Sequence, residues 1–252
     1  MKTKVLFSAV VLSAAVMFSS CSKDDNQSTP EEVVTPPKVI SEYIKQDVKT
    51  GVYQVTNLPM IPTGAKYVQD GVTQHAMNKP FYFNFSTAQM VTEDKAAGLT
   101  WDMVLMDANT YFNAAGLLNN GTINNRPWSQ NGSTNIATYV TEDFDNVKNI
   151  PSDLNFTLKA IGVQSTGTLR VSEWGKTMNT ETGIFSYYSP IKNITYIIKL
   201  NDGKIVKLCM QNMYKVNDVS KPYEASATST SGFLTFKYAV FPAGTTDINT
   251  VK

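Results

Sequence analysis

Apolar residues recur at every second position in several stretches of this chain, and that period commits it to strands. Side chains of a β-strand point alternately to opposite faces, so a half-buried strand reads apolar, polar, apolar. Phe81, Phe83 and Phe85 fall on one side, with Tyr82, Asn84 and Ser86 on the other. Leu154, Phe156, Leu158 and Ala160 alternate with Asn155, Thr157 and Lys159. Ile194, Tyr196, Ile198 and Leu200 alternate with Thr195 and Lys199, and Asn201-Asp202-Gly203 then has the composition of a hairpin turn. Beyond it Val206, Leu208 and Met210 share one face, with Lys207 and Cys209 opposite. A last run sets Leu234, Phe236, Tyr238 and Val240 against Thr235 and Lys237. No window of helical length carries a comparable stripe at 3.6 spacing, and residues 92–99 could form one short helix at most. The pattern predicts an all-β domain built as two packed antiparallel sheets.

Three stretches break the alternation. Residues 113–135 are rich in Asn and Gly and hold Pro127 and Trp128, too long a run for a simple hairpin loop. Loops of that length inside compact domains are usually binding loops or disordered. Residues 173–190 read as a second irregular region, containing Trp174, Met178, Phe185, Tyr187 and Tyr188. Residues 215–231, rich in Ser and Thr, read as a plain mobile loop.

The chemistry-bearing residues argue against an enzyme. A single histidine, His75, lies in a polar stretch, and no Ser-His-Asp or Cys-His arrangement can be assembled around it. Glu142, Asp143 and Asp145 read as a solvated strand end, because paired carboxylates are common and their spacing is not diagnostic. The few His and Cys residues do not cluster as zinc ligands would. Charge is nearly balanced, at a formal +1, so the basic field of a nucleic-acid binder is missing. Met103, Met106, Met210 and Met213 fall on predicted strands, where packing explains them. Met178 instead follows Trp174 by four positions in a predicted loop. Such a methionine is either a packing residue or a soft thioether ligand for haem iron.

The first residues carry an address. Lys2 and Lys4 precede an uncharged apolar stretch, residues 5–18, too short to cross a bilayer comfortably but suited to a secretory signal. It ends Phe18-Ser19-Ser20-Cys21, which resembles the bacterial lipobox, where the cysteine is diacylated and becomes the mature N-terminus. The Ser-, Asp-, Pro- and Glu-rich residues that follow cannot bury enough apolar surface to fold and read as a tether. Lys23-Asp24-Asp25 resembles the surface-export signal of Bacteroidetes lipoproteins. The expected organisation is a signal peptide over 1–20, a lipidated tether over 21–38 and a β domain over 39–252. By these resemblances the domain sits on the outer face of the outer membrane, held by its lipid. Cys209 is the one cysteine besides Cys21, so the mature chain has no intrachain disulfide.

Four stretches, taken in order, resemble the HmuY-like family of Bacteroidetes haem-binding lipoproteins. They are Pro80-Phe81-Tyr82-Phe83 leading to Thr100-Trp101-Asp102-Met103; Phe144-Asp145-Asn146-Val147 with Pro151-Ser152-Asp153; Trp174 with its loop, Tyr196-Ile197-Ile198 and Asp202-Gly203-Lys204; and Phe233-Leu234-Thr235-Phe236-Lys237-Tyr238. The resemblance implies an all-β sandwich with ligand loops at one end and haem as the cofactor. It also implies haem delivery to a TonB-dependent transporter. One axial ligand of the family lies just after the tryptophan that Trp174 resembles, which puts Met178 at or within a residue of that position. The other lies in the preceding loop, but residues 162–173 contain neither His nor Met, so no second ligand is carried over. Trp174, Tyr187, Tyr188 and Trp128 are the expected ligand contacts. A second reading, a surface adhesion or glycan-binding module, uses Trp128, Tyr187 and Tyr188 as stacking platforms. The anchor is testable without any structure: Cys21→Ala should abolish radioactive fatty-acid labelling and release the protein from membranes. Unchanged labelling of that variant would remove Cys21 as the lipid site.

Overall fold

The computed structural model describes residues 35–60, 66–69, 72–75, 81–92, 95, 101–106, 109–112, 135–158, 160–161, 163–164, 173–179, 185–226 and 229–250. Its regular elements are strands. In chain order they are β1 (Lys38–Val39), β2 (Ile44–Gln46), β3 (Tyr53–Pro59), β4 (Lys66–Gln69), β5 (Val72–His75), β6 (Phe81–Asn84), β7 (Gln89–Val91), β8 (Met103–Met106) and β9 (Asn109–Phe112). There follow β10 (Ile136–Val140), β11 (Ala160–Ile161), β12 (Val163–Gln164), β13 (Gly175–Asn179), β14 (Phe185–Pro190), β15 (Thr195–Lys199), β16 (Ile205–Tyr214) and β17 (Ser231–Phe241).

A seven-stranded sheet runs β1-β2-β3-β17-β16-β15-β10, antiparallel throughout. A five-stranded antiparallel sheet runs β11-β9-β8-β6-β7. Two smaller sheets are β12-β13-β14 and β4-β5. The expected alternation is what packs the two larger sheets together. Phe81 and Phe83 of β6 and Met103 and Leu105 of β8 share one buried cluster with Val206, Leu208 and Met210 of β16 and Leu234, Phe236 and Tyr238 of β17. Phe83 meets Phe236 and Tyr238 edge-on, at centroid distances of 5.3 and 5.8 Å. These are the offset geometries that aromatic quadrupoles favour. Tyr238 also donates its hydroxyl to the Phe85 carbonyl at 3.3 Å, so this buried hydroxyl is paired.

The seven-stranded sheet is covered on its other face as well. All ten residues of β16 are buried, including Lys207 and Cys209, which alternation alone would leave to solvent. Residues 144–156 and 241–250 supply part of that cover: Val147 and Ile248 bury against Ile197 and Ile205, with Ile150, Leu154, Phe156 and Phe241 packed around them. Lys207 Nζ reaches through this layer and donates to the carbonyls of Val147 (2.8 Å) and Ile248 (3.0 Å) and to Thr250 Oγ1 (3.0 Å). It also sits 4.3 Å from the centroid of the Phe144 ring. A buried ammonium is costly unless every proton has a partner, and here all three do.

Three expectations change. Residues 154–158 alternate in exposure as expected, but instead of a strand they form an extended segment that touches the sheet at one isolated bridge, Ala137↔Leu158. Strand pairing resumes only at β11. The segment is diverted because its apolar face covers the outer side of the large sheet. Residues 215–226, expected to be part of a plain mobile loop, are pinned by two asparagines. Asn57, held at φ 54°, exchanges side-chain bonds with the backbone of Val216 (2.8 and 2.6 Å). The Asn212 amide donates to the carbonyls of Pro222 and Glu224 at 3.0 and 2.9 Å. Left-handed backbone suits Asn better than most residues, which gives the Asn57 position its sequence preference. Residues 173–190, expected to be irregular, instead contribute the β13–β14 hairpin. The short helix considered over 92–99 lies mostly outside the described residues.

Trp101 and Asp102 act within the fold. Trp101 is buried 5.2 Å from the Tyr82 ring. Asp102 Oδ2 accepts the Phe85 N–H at 2.9 Å, closing the turn that follows β6. Burial pushes the Asp102 carboxyl up to about 6, against the opposing pull of that hydrogen bond and of Asn135.

Two outcomes follow. Phe236→Ala should cost about 3–5 kcal/mol in chemical denaturation, from lost transfer energy and the cavity left behind; a loss under about 1 kcal/mol would place Phe236 outside the core. Burial also pulls Lys207 down to about 8 from its usual 10.5. Between those values the unfolded chain holds a proton that the native chain has released, so this group makes stability rise with pH across that window. The stability difference between wild type and Lys207→Met should therefore move in favour of wild type from pH 8 to 10. A pH-independent difference would show that Lys207 is not desolvated.

Candidate functional site

The residues singled out after Trp174 are gathered by the β13–β14 hairpin. Trp174 stands immediately before β13 and is 1% exposed, packed into the main core. Its carbonyl accepts the Ile191 N–H at 2.7 Å, so the residues on either side of the hairpin are tied at its base. The indole Nε1 is buried and has no hydrogen-bond partner among the described residues. A buried indole N–H normally finds an acceptor, so this donor is one polar feature of the region that asks for an explanation.

Met178 is placed on β13, directly across from Tyr187, and the register shifts between Met178 and Asn179. The expectation of a loop at Met178 is therefore corrected: the residue sits at a bulge in a paired strand. A bulge re-aims the chain locally while its neighbours stay paired, and such positions are frequent beside functional sites. Tyr188 pairs with Thr177, and both Tyr187 and Tyr188 are half-buried against the main core. The hairpin is tied to the large sheet by the Tyr188 N–H, which donates to the Tyr214 hydroxyl at 2.9 Å. Burial raises Tyr214 above the usual tyrosine value, so it stays protonated. Tyr214 was not expected here. Nothing in the sequence distinguishes the last residue of a long strand from any other core tyrosine.

On its other side β13 pairs in parallel with β12, Val163 with Gly175 and Gln164 with Lys176. The segment before Trp174 thus approaches the hairpin, but it brings neither histidine nor methionine. Trp128 and Cys21 lie outside the described residues. His75 closes β5, in register with Lys66 of β4, away from any residue of the hairpin in the pairing scheme. Glu142, Asp143 and Asp145 are exposed, as a solvated turn should be, and Asp145 pairs with Lys237 at 3.0 Å. Cys209 is buried 3.0 Å from the Tyr223 hydroxyl, and burial pushes its thiol up. Among the described residues, no group of three or more His, Cys, Asp or Glu could hold a metal ion. No helix among them is long and apolar enough to cross a membrane.

No family model and no curated protein matches the chain. Among solved structures it is similar to a candidate HmuY-like heme-binding protein from Bacteroides vulgatus, at 13% identity and a TM-score of 0.41, over 78% of this chain and 95% of that one. A candidate lipoprotein from Bacteroides fragilis is similar at 13% identity and a TM-score of 0.40, over 76% of this chain and 90% of that one. Likenesses of this order carry no residue role from those proteins to this chain.

Proposed function

We propose that this protein is a HmuY-like lipoprotein, anchored through Cys21 on the outer face of the outer membrane, that binds haem and passes it to a TonB-dependent transporter. The observation that supports the site is the β13–β14 hairpin, which sets Met178 across from Tyr187 next to Trp174, whose buried N–H has no hydrogen-bond partner among the described residues. Met178 would supply an axial thioether, and Tyr187 and Tyr188 the aromatic flank. Bound haem would contribute an iron centre able to take a soft, neutral sulfur ligand, which favours the ferrous state. The second axial position is not assigned to any residue of this chain.

Titration with haemin, oxidised and then reduced with dithionite, tests the reading. Binding should tighten on reduction, with a sharpened Soret band and resolved visible bands. Met178→Ala should weaken ferrous binding most while keeping the wild-type circular dichroism spectrum. Met103→Ala is the control, because Met103 is fully buried on β8: it should lower stability and leave the iron spectrum alone. Wild-type affinity and spectrum in Met178→Ala would remove that ligand. Absence of haem binding in both redox states would remove the haem reading. The glycan-binding alternative, which draws on the half-exposed rings of Tyr187 and Tyr188, would then stand in its place.

A further inference from the structure

We propose that a second, metal-free site lies on the outer face of the seven-stranded sheet and takes a small anionic amphiphile, a carboxylate with an apolar tail. A groove of about 570 Å³ opens between the extended segment 150–156, the turn joining β15 to β16, and residues 244–246. It lies where residues 154–157 pack over the sheet by their side chains without joining a strand ladder, the isolated bridge at Leu158 being the segment's backbone pairing to the sheet. A fully paired strand there would close it. Buried Leu200 and Ile205 and half-exposed Leu154 and Phe156 make the groove largely apolar. Its volume falls in the range of small-molecule pockets, about 300–1,000 Å³.

The charge at the groove selects the ligand. Among the described lining residues Lys199 is the only charged one, and its ammonium stands 4.0 Å from the centroid of the Phe156 ring. The ring holds the cation beside the apolar surface without neutralising it. An anion docking there gains a charge-assisted partner whose position is already restricted, while an alkyl tail covers the apolar residues. A cationic or uncharged ligand would gain no such partner. No His, Cys, Met or Tyr lines the groove among the described residues, so the iron-ligating chemistry discussed for the hairpin has no counterpart here. This inference does not depend on the haem reading.

Calorimetric titration of the full chain in its unlipidated Cys21→Ala form with dodecanoate, below micelle formation, tests it, with 1-dodecanol as the uncharged probe. Dodecanoate should bind at one site in the micromolar range, and dodecanol at least tenfold more weakly. Lys199→Gln changes only an exposed side chain; it should weaken dodecanoate at least tenfold and leave dodecanol unchanged. Ser152→Trp, an exposed position at the groove, should block both. Haemin titration of Lys199→Gln should match wild type. The proposal is overturned if dodecanoate binds several sites or none, if the two probes bind alike, or if Lys199→Gln binds dodecanoate as wild type does. Haemin displacing dodecanoate would merge the two sites and overturn it equally.

Discussion

Burial of β16 on both faces is the condition from which the rest of the architecture follows. A strand buried on one face needs a single partner layer; one buried on both needs two, and here the two are unlike. The inner layer is a second sheet, and its contact is apolar and aromatic, from Phe83 across to Phe236 and Tyr238. The outer layer has little regular structure: its two segments pair at one isolated bridge, Asn149↔Asp247, and Lys207 adds three bonds that this bridge does not supply. By donating to Val147 O, Ile248 O and Thr250 Oγ1 it ties two distant segments to the strand between them. Burying that ammonium opposes folding, as its lowered proton affinity shows. The compensation is that three acceptors in two irregular segments are satisfied at once. Removing the side chain would leave them unpaired, and each buried unpaired acceptor costs roughly 1–3 kcal/mol.

The inner layer was legible in the sequence because burial there follows one rule, period two, which the sequence displays directly. Phe81, Phe83, Leu208, Phe236 and Tyr238 are where alternation puts them. The outer layer was not legible, because alternation says which residues share a face and is silent about what covers it. Lys207 and Cys209 read as a polar face and are buried. Residues 154–158 carry the same alternation as true strands, yet their apolar side is spent on a surface instead of a sheet edge. Loops were misread for a related reason. Ser- and Thr-rich composition suggests mobility in 215–231, whereas two asparagines on the strands flanking β17, Asn57 and Asn212, hold its described part.

The hairpin shows the same limit at the candidate site. Trp174, Met178, Tyr187 and Tyr188 are close in sequence, and an irregular loop was the natural reading of a stretch containing Gly and Thr. The structure brings them together by pairing, with Met178 opposite Tyr187, and holds the hairpin through Tyr214 from a strand that sequence proximity could never suggest. A tied hairpin positions a ligand better than a free loop, since less ordering has to be supplied on binding. The bulge after Met178 leaves one irregular point in an otherwise paired element.

For a chain proposed to work outside the cell, the absence of a disulfide has a physical answer in the buried amides. Extracellular domains often staple their loops covalently, but Cys21 is the proposed lipid site and Cys209 has no cysteine left to pair with. Asn57, Asn135 and Asn212 take over the stapling. Asn57 and Asn135 join segments far apart in sequence, and Asn212 ties the loop that follows its own strand: Asn135 Oδ1 accepts the Asn201 N–H at 2.7 Å while its amide reaches the Asp102 carbonyl at 3.3 Å. Cys209 itself is kept from oxidation by the same outer layer. The thiolate is the reactive form, and burial raises the thiol above its ordinary value and seals it under Tyr223. Cys209 thus lies buried with Phe144 and Ala239, with Tyr223 and Phe241 packed against them, in the setting where a thiol is least reactive.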